Sequence, residues 1–395
     1  MQKDYLLTPG PTPLPPQVQE ALGRPIIHHR TAQYRALFKR VLQNLQTVFQ
    51  TKQSVIVFTS SGTGAMEAAV CNLLSPGDRA IVVLGGKFAE RWQHLCQAYG
   101  VSVTPIPVAY GDAVEPEQVR HALKQQPDTK AVFATLCETS TGVVHDLETL
   151  ASIVKATNAV LVVDAISGLL AENCPMDAWG VDVVVSGSQK ALMLPPGLAF
   201  MGVSDKAWKM VQQAKSPRFY FDLRLYQKAL ADDDTPFTSS VSLVVALDES
   251  LTLIAEQGVA QIIQRAHSMA QATRAGVEAM GLSLFAKRPA NAVTAVNVPP
   301  GIDGKQLVKH IQDRYHVTLA GGQGEMAGKL FRIAHMGYIA PFDLLTALAA
   351  TELSLLELGV SLTPGEGLKA AQAIIGNLAP SPAVLSERRA GAGVR

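Results

Sequence analysis

Between residues 54 and 203 the chain lays down seven short apolar runs: SVIVFTS, AIVVLGG, VSVTPIPV, KAVFATL, AVLVVDA, VDVVVSG and GLAFMGV. Each has strand length, is rich in branched or aromatic residues, and is bounded by Gly, Pro, Ser or Asp, as expected of strands buried on both faces. Four helical patterns, GAMEAAVCNLL, ERWQHLCQAY, PEQVRHALKQ and LETLASIVKA, fill gaps between them. Few folds accommodate that alternation. The reading is α/β, with a mostly parallel central sheet covered on both sides by helices.

After residue 240 the rhythm changes. One long helical stretch, with a break at Gly258, is followed by a smaller α+β pattern: AVTAVNVP, DGKQLVKHIQDRY, KLFRIAHMG and DLLTALAATELSLLELG. The expected organisation is an N-terminal segment, 1–20, packing near a small domain. A large domain over 21–255, a smaller C-terminal domain over 256–380 and a fraying tail over 381–395 complete it.

Charge and cysteine usage exclude several functions. The chain has 34 basic against 33 acidic residues, a net charge of +1, and no basic block, so no nucleic-acid partner is expected. No run is both long and apolar enough to span a bilayer, and the start MQKDYLLTPGPTPLPP lacks the apolar core of a signal peptide. The cytoplasm is the expected compartment. Cys71, Cys96, Cys137 and Cys174 lie far apart, without the clustering that zinc or iron–sulfur centres need. His28 and His29 are adjacent, and on an extended chain neighbours point to opposite faces. No metal site is expected.

In sheets of this kind ligands bind beyond the carboxyl ends of the strands, and those ends carry polar groups. After VDVVVSG comes SQKALMLPPG, which delivers Lys190 just past a strand: a surface lysine, or an amine poised to form a Schiff base. Asp164 ends AVLVVD, either as a loop acid or as a carboxylate that keeps a heteroaromatic nitrogen protonated. Ser60 to Gly64 open a helix, as a plain tight turn or as an anion cup. Glu138, Thr139 and Ser140 end a third strand, and Lys87-Phe88 follow a fourth with an aromatic able to stack on a planar ligand. Taken together, an anion cup, an aromatic, a hydroxyl donor, an acid and a lysine describe a pyridoxal 5′-phosphate site.

Several motifs then resemble the class V aminotransferases of the fold-type I pyridoxal-phosphate superfamily: TPGPTPLPP, SSGTGAMEAA, ETSTGVVHDL, LVVDAIS, SGSQKALMLPPGLAF, LTLIAEQG and GKLFRIAHMG. The likeness is strongest to the alanine–glyoxylate and serine–glyoxylate (serine–pyruvate) group, which includes cyanobacterial members called soluble hydrogenase small subunit. The resemblance implies that Lys190 carries the cofactor, Asp164 pairs with its ring nitrogen and Ile166 lies under the ring. Thr139 and Gln189 match groups near the ring oxygen, and Phe88 matches the stacking aromatic. Ser61, Gly62 and Thr63 match the phosphate turn, Thr63 standing where some relatives carry histidine. Thr238 matches a threonine that reaches the phosphate from a partner subunit, and Arg332 matches the arginine that takes the substrate carboxylate.

The resemblance further implies a homodimer with shared active sites. The expected reaction is transfer of an amino group from alanine or serine to glyoxylate or pyruvate in a ping-pong cycle. Only one arginine is placed for a carboxylate, which favours small substrates. The alternatives are an aminoethylphosphonate-type transaminase, a lyase or desulfurase of the same fold, and a hydrogenase-associated partner subunit.

Overall fold

The computed structural model describes residues 3–376; the expected tail at 381–395 lies outside them. Strand β1 (Tyr5–Leu6) is followed by helices α1 (Pro16–Leu22) and α2 (Ala32–Phe49). The alternating region then runs β2 (Val55–Phe58), α3 (Gly62–Leu73), β3 (Arg79–Leu84), α4 (Lys87–Ala98), β4 (Ser102–Pro107), α5 (Pro116–Gln125) and β5 (Ala131–Thr135). A small ladder, β6 (Cys137–Glu138) with β7 (Val143–Val144), precedes α6 (Leu147–Lys155), β8 (Val160–Asp164), α7 (Met176–Trp179), β9 (Val183–Gly187) and β10 (Ala199–Val203).

All seven expected runs enter one sheet, in the order β2-β10-β9-β8-β5-β3-β4. Five strands pair in parallel, and β10 lies antiparallel to both β2 and β9. The reason is the connection: no helix intervenes between β9 and β10, and a chain without a crossover returns in the opposite direction.

The apolar runs are continuous because alternate residues serve opposite faces. Val55, Val57, Leu161 and Val163 join one core, while Ile56, Phe58, Val160 and Val162 join the other. Each side chain so buried stabilises the fold by roughly 1.5–3 kcal/mol.

Helices α8 (Asp205–Val211), α9 (Leu223–Leu230), α10 (Val241–Gln257) and α11 (Val259–Ala279) follow, with the break between the last two at Gly258. The rest comprises β11 (Val293–Asn297), α12 (Gly304–Tyr315), β12 (Val317–Thr318), β13 (Ala320–Gly321), β14 (Leu330–Ala334), α13 (Pro341–Glu357) and α14 (Glu366–Ile375). A second, antiparallel sheet has the order β11-β14-β13, and a third core that includes Phe331, Ile333, Leu307, Leu348 and Met269 packs around it. The N-terminal strand β1 pairs in parallel with β12, Tyr5 opposite Val317. No helix among the described residues is long and apolar enough to cross a membrane.

Candidate active site

The carboxyl ends of β2, β3, β5, β8 and β9 share one edge of the central sheet, and beyond β5 that edge meets the second sheet, where Arg332 Nη1 donates to Thr139 O at 2.8 Å. Lys190 sits in the loop from β9 to β10. Ser188 ties that loop shut: its N–H donates to Leu198 O at 2.9 Å, and its hydroxyl donates to Pro195 O at 2.7 Å and accepts from Leu198 N–H at 3.2 Å. Thr12 brings in the N-terminal segment, its hydroxyl donating to Lys190 O at 2.9 Å and its N–H to Gln189 O at 3.2 Å. The Lys190 amine donates to Pro9 O. Gly10, at φ +105°, lies directly against the lysine stem; a Cβ there would stand 2.6 Å from Cδ, Cε and Nζ of Lys190. Lys190 is 8 % exposed, and burial lowers its ammonium to about 8, with Asp164 pulling upward and Arg332 and Arg91 downward. The amine is therefore much easier to deprotonate than an exposed lysine.

Asp164 ends β8, 3 % exposed. Its Oδ1 accepts the Ile166 N–H at 2.8 Å, yet burial lifts the carboxyl to about 7, with Glu138 adding to the lift and Arg91 and Lys190 opposing it. A carboxylate so placed calls for a cationic partner. Ile166 reaches back under the turn at residues 61–63: a Cβ on Gly62 would stand 2.5 Å from Ile166 Cδ1, so only glycine lets α3 begin this close. Gln189 Oε1 is buried without a partner among the described residues.

At the start of α3, Ser61 is the N-cap but makes no side-chain cap bond; its carbonyl accepts from Gly64 N–H at 2.8 Å, and the Gly62 and Thr63 amides are not satisfied from its hydroxyl. Thr63 Oγ1 accepts from Arg91 Nη1 at 3.0 Å, which leaves the hydroxyl proton of Thr63 to donate elsewhere. Arg91 also stands over the Phe88 ring, 5.4 Å from its centroid. Sequence reasoning missed Arg91, although its spacing from Phe88 puts both on one helix face. Its partner is the hydroxyl of Thr63, so the reading that one arginine is placed for a substrate carboxylate is untouched by it.

Glu138, Thr139 and Ser140 divide their work. Glu138 is fully buried and caps α4 from another element, accepting from Phe88 N–H at 3.3 Å and Ala89 N–H at 2.9 Å, and from the Ser140 hydroxyl at 2.5 Å. It positions the aromatic rather than facing a ligand. Thr139 and Ser167 share a hydroxyl contact of 2.5 Å.

Arg332 stands in the middle of the second sheet, 3 % exposed. Nε and Nη2 donate to Gly321 O at 3.1 and 2.7 Å, and Nη1 donates to Thr139 O at 2.8 Å. Three of its five N–H groups are thereby used, and one remains on each terminal nitrogen, the pair that fits a carboxylate. Burial lowers the guanidinium to about 10, opposed by Glu138; it stays charged.

Thr238 stands apart, exposed on the segment between α9 and α10. Two residues on, Ser240 N–H donates to Thr59 Oγ1 at 3.1 Å, two residues before Ser61. His28 and His29 require a correction. Their rings lie 4.6 Å apart at 31° rather than on opposite faces, because the chain turns at residue 29 instead of staying extended. Among the described residues no three His, Cys, Asp or Glu side chains gather where a metal ion could be held. All four cysteines are buried, and burial pushes the thiols of Cys71, Cys96 and Cys174 up to about 12.

Known proteins share this arrangement. A family model described as "Aminotransferase class-V" matches residues 4–336. A protein named soluble hydrogenase, small subunit, from Synechococcus sp. is 41 % identical over 379 residues, 94 % of this chain and 98 % of its own. An L-aspartate–glyoxylate aminotransferase of Paracoccus denitrificans is 36 % identical, covering 93 % of this chain and 95 % of its own. A serine–glyoxylate aminotransferase of Arabidopsis thaliana is 35 % identical, covering 93 % and 94 %. Among solved structures, a pyridoxamine–pyruvate aminotransferase from Mesorhizobium loti superposes with a TM-score of 0.92 at 31 % identity, covering 96 % of this chain and 98 % of that one.

Proposed function

The chain belongs to the class V aminotransferases, and from that premise we propose that it moves an amino group from alanine or serine to glyoxylate or pyruvate. The family's cofactor is pyridoxal 5′-phosphate, and the residues present suit it. The orphaned Gln189 Oε1, the uncapped start of α3 and the buried Asp164 carboxylate each lack the partner that a phosphorylated pyridine ring would provide. Ser61, Gly62 and Thr63 would hold its phosphate, Phe88 and Ile166 its ring faces, and Thr139 and Gln189 its ring oxygen. Lys190 would carry it covalently. When bound, the cofactor supplies an electron sink for the carbanion at the substrate α-carbon.

The protein's own part is binding and proton handling. Arg332 holds the carboxylate of the donor through its two remaining N–H groups, a parallel grip that lysine cannot copy. The Lys190 amine, poised near 8, takes the proton from the α-carbon and returns it at the neighbouring position. Asp164 keeps a proton on the ring nitrogen by its negative charge. Thr238, exposed and apart from the other site residues of its own chain, supports a homodimer in which each site is completed by the partner.

The single observation that carries the reading is the buried arginine with one free N–H on each terminal nitrogen. A donor with two carboxylates is the second reading, favoured by the name of the Paracoccus relative. A desulfurase reading fails on chemistry, since no thiol of this chain is poised as a thiolate. The name of the Synechococcus relative belongs to that protein.

The test is a half-reaction screen in which cofactor-loaded protein is mixed with single amino acids, and loss of its yellow absorbance is followed together with 2-oxo acid release. Alanine or serine reacting well ahead of aspartate and aminoethylphosphonate supports the reading. Aspartate ahead of both selects the second, and reaction with none of the carboxylic donors defeats both. Borohydride reduction and peptide mapping should place the cofactor on Lys190.

A further inference from the structure

Glu172 lies eight residues past Asp164, on the segment that leaves β8, and is 9 % exposed. No step of the proposed reaction uses it. Its oxygens take the backbone N–H of Asn291 and, at 2.8 Å, the Asn291 Nδ2. Asn291 stands two residues ahead of β11, in the other sheet, and its remaining polar groups are also engaged. Oδ1 accepts from Arg274 Nη2 at 3.4 Å and lies 3.3 Å from His267 Nδ1, while its carbonyl accepts from His335 Nδ1 at 3.0 Å. His335 directly follows β14, and its N–H donates to Ala292 O at 3.0 Å. β11 and β14 are registered with Ala295 opposite Arg332. A chain of hydrogen bonds thus leads from Glu172, on the segment that leaves the Asp164 strand, to His335, the residue that follows the strand carrying Arg332.

We infer that the Glu172–Asn291 pair is a positioning device that fixes the sheet bearing Arg332 against the sheet bearing Asp164 and Lys190. It thereby keeps the grip of Arg332 on the donor carboxylate, an interaction made alike before and during the reaction. The inference rests on the reading that Arg332 takes the donor carboxylate. The flanking segment has backbone ties as well, Ala290 N–H to Gly142 O at 2.8 Å and Val144 N–H to Arg288 O at 3.0 Å. Those ties reach the loop after β6. Glu172 is the side-chain anchor from the β8 side, and a carboxylate taking two N–H groups is a stiffer anchor than a single neutral bond.

The exchange of one acceptor for a donor breaks the pair, because Glu172→Gln turns an amide N–H2 toward one of the two Asn291 donors. Adding Asn291→Asp restores it in reverse: the glutamine amide donates to the new carboxylate, whose other oxygen still serves Arg274. The experiment measures kcat and KM for the best donor from the half-reaction screen, and cofactor affinity by absorbance titration. The proteins are wild type, Glu172→Gln, Glu172→Gln/Asn291→Asp and Arg332→Lys.

A loosened grip weakens the hold on donor and transition state alike, which raises KM and leaves kcat. With the backbone ties intact, Glu172→Gln should raise KM about tenfold while kcat stays within about threefold. Cofactor affinity should stay within about twofold, and the double variant should bring KM back to within about threefold of wild type. An unchanged KM in Glu172→Gln beside a raised KM in Arg332→Lys overturns the inference alone. So does a parallel fall of kcat and melting temperature that Asn291→Asp fails to rescue, since that is a purely structural role. An unchanged KM in Arg332→Lys defeats the underlying reading, and the inference with it.

Discussion

Replacing Asp164 by asparagine should move two properties of the protein in opposite directions. The carboxyl is 3 % exposed and lifted from 3.8 to about 7, chiefly by burial. A folded state that holds the proton so much more tightly than the unfolded chain is penalised once the group ionises, by roughly 4 kcal/mol at full ionisation. Asparagine keeps the volume and still offers an oxygen to the Ile166 N–H. Lys190 loses an anionic neighbour, but an amine at about 8 can release its proton at little cost, so little of the gain is returned. The unfolding entropy of about 2.1 cal/mol/K per residue makes 4 kcal/mol worth roughly 5 °C in a chain of this length.

The cofactor-free variant should therefore melt about 5 °C above the cofactor-free wild type at pH 8. The sign of the pH dependence follows from the raised carboxyl. Below pH 3.8 it is protonated in both states and the two proteins converge; the gap opens between 3.8 and about 7 and is constant above. Pyridoxal phosphate binding should weaken meanwhile, because a charge-assisted bond contributing roughly 1.5–3 kcal/mol is lost, which is about ten- to a hundredfold in affinity. Thermal melts from pH 4 to 8 and an absorbance titration read both. A variant that melts no higher than wild type at pH 8, or a gap that persists unchanged at pH 4, refutes the burial argument. Unchanged cofactor affinity refutes the pairing of Asp164 with the ring nitrogen.

Arg332→Lys should lower kcat/KM for carboxylic donors at least about a hundredfold, since two charge-assisted bonds are replaced by a point charge, while the cofactor absorbance persists. Wild-type kinetics with alanine and serine would remove Arg332 from the site. Arg91→Met should weaken pyridoxal phosphate about tenfold or more and leave unphosphorylated pyridoxal within about twofold, because Arg91 bonds the hydroxyl of the phosphate turn; equal losses for both would place its action elsewhere. Gly10→Ala should cut cofactor loading, measured as bound absorbance per chain, since the new methyl meets the Lys190 stem at a φ of +105°. Full loading would show that the N-terminal segment yields freely.

What could be read along the chain was whatever has a local physical cause. Runs such as VDVVVSG announce strands because both faces are buried, and Gly258 announces a break because no side chain favours its φ of +85°. Helix α2 went unread, although Tyr34, Phe38, Val41, Leu45 and Val48 keep helical spacing and are all buried. The two-residue strands β1, β6, β7, β12 and β13 have no local signature, since their only cause is a distant partner. The same holds in the site. Lys190 and Asp164 were legible as polar groups at the ends of apolar strands. Arg91 was legible by spacing but overlooked. The contact between Pro9 and Lys190, and the node at Asn291, follow from tertiary packing alone.

The docking of the N-terminal strand has a temporal consequence. At a synthesis rate of about 5–20 residues per second, Val317 emerges roughly 15–60 s after Tyr5, the residue it pairs with. Thr12 likewise waits for Gln189 and Lys190. Residues 5–12 are thus among the last to find their places. A nascent chain can complete its central sheet while the strap over Lys190 hangs loose. A ribosome stalled before residue 317 should carry a chain with the large sheet protected from protease and residues 5–12 open to cleavage.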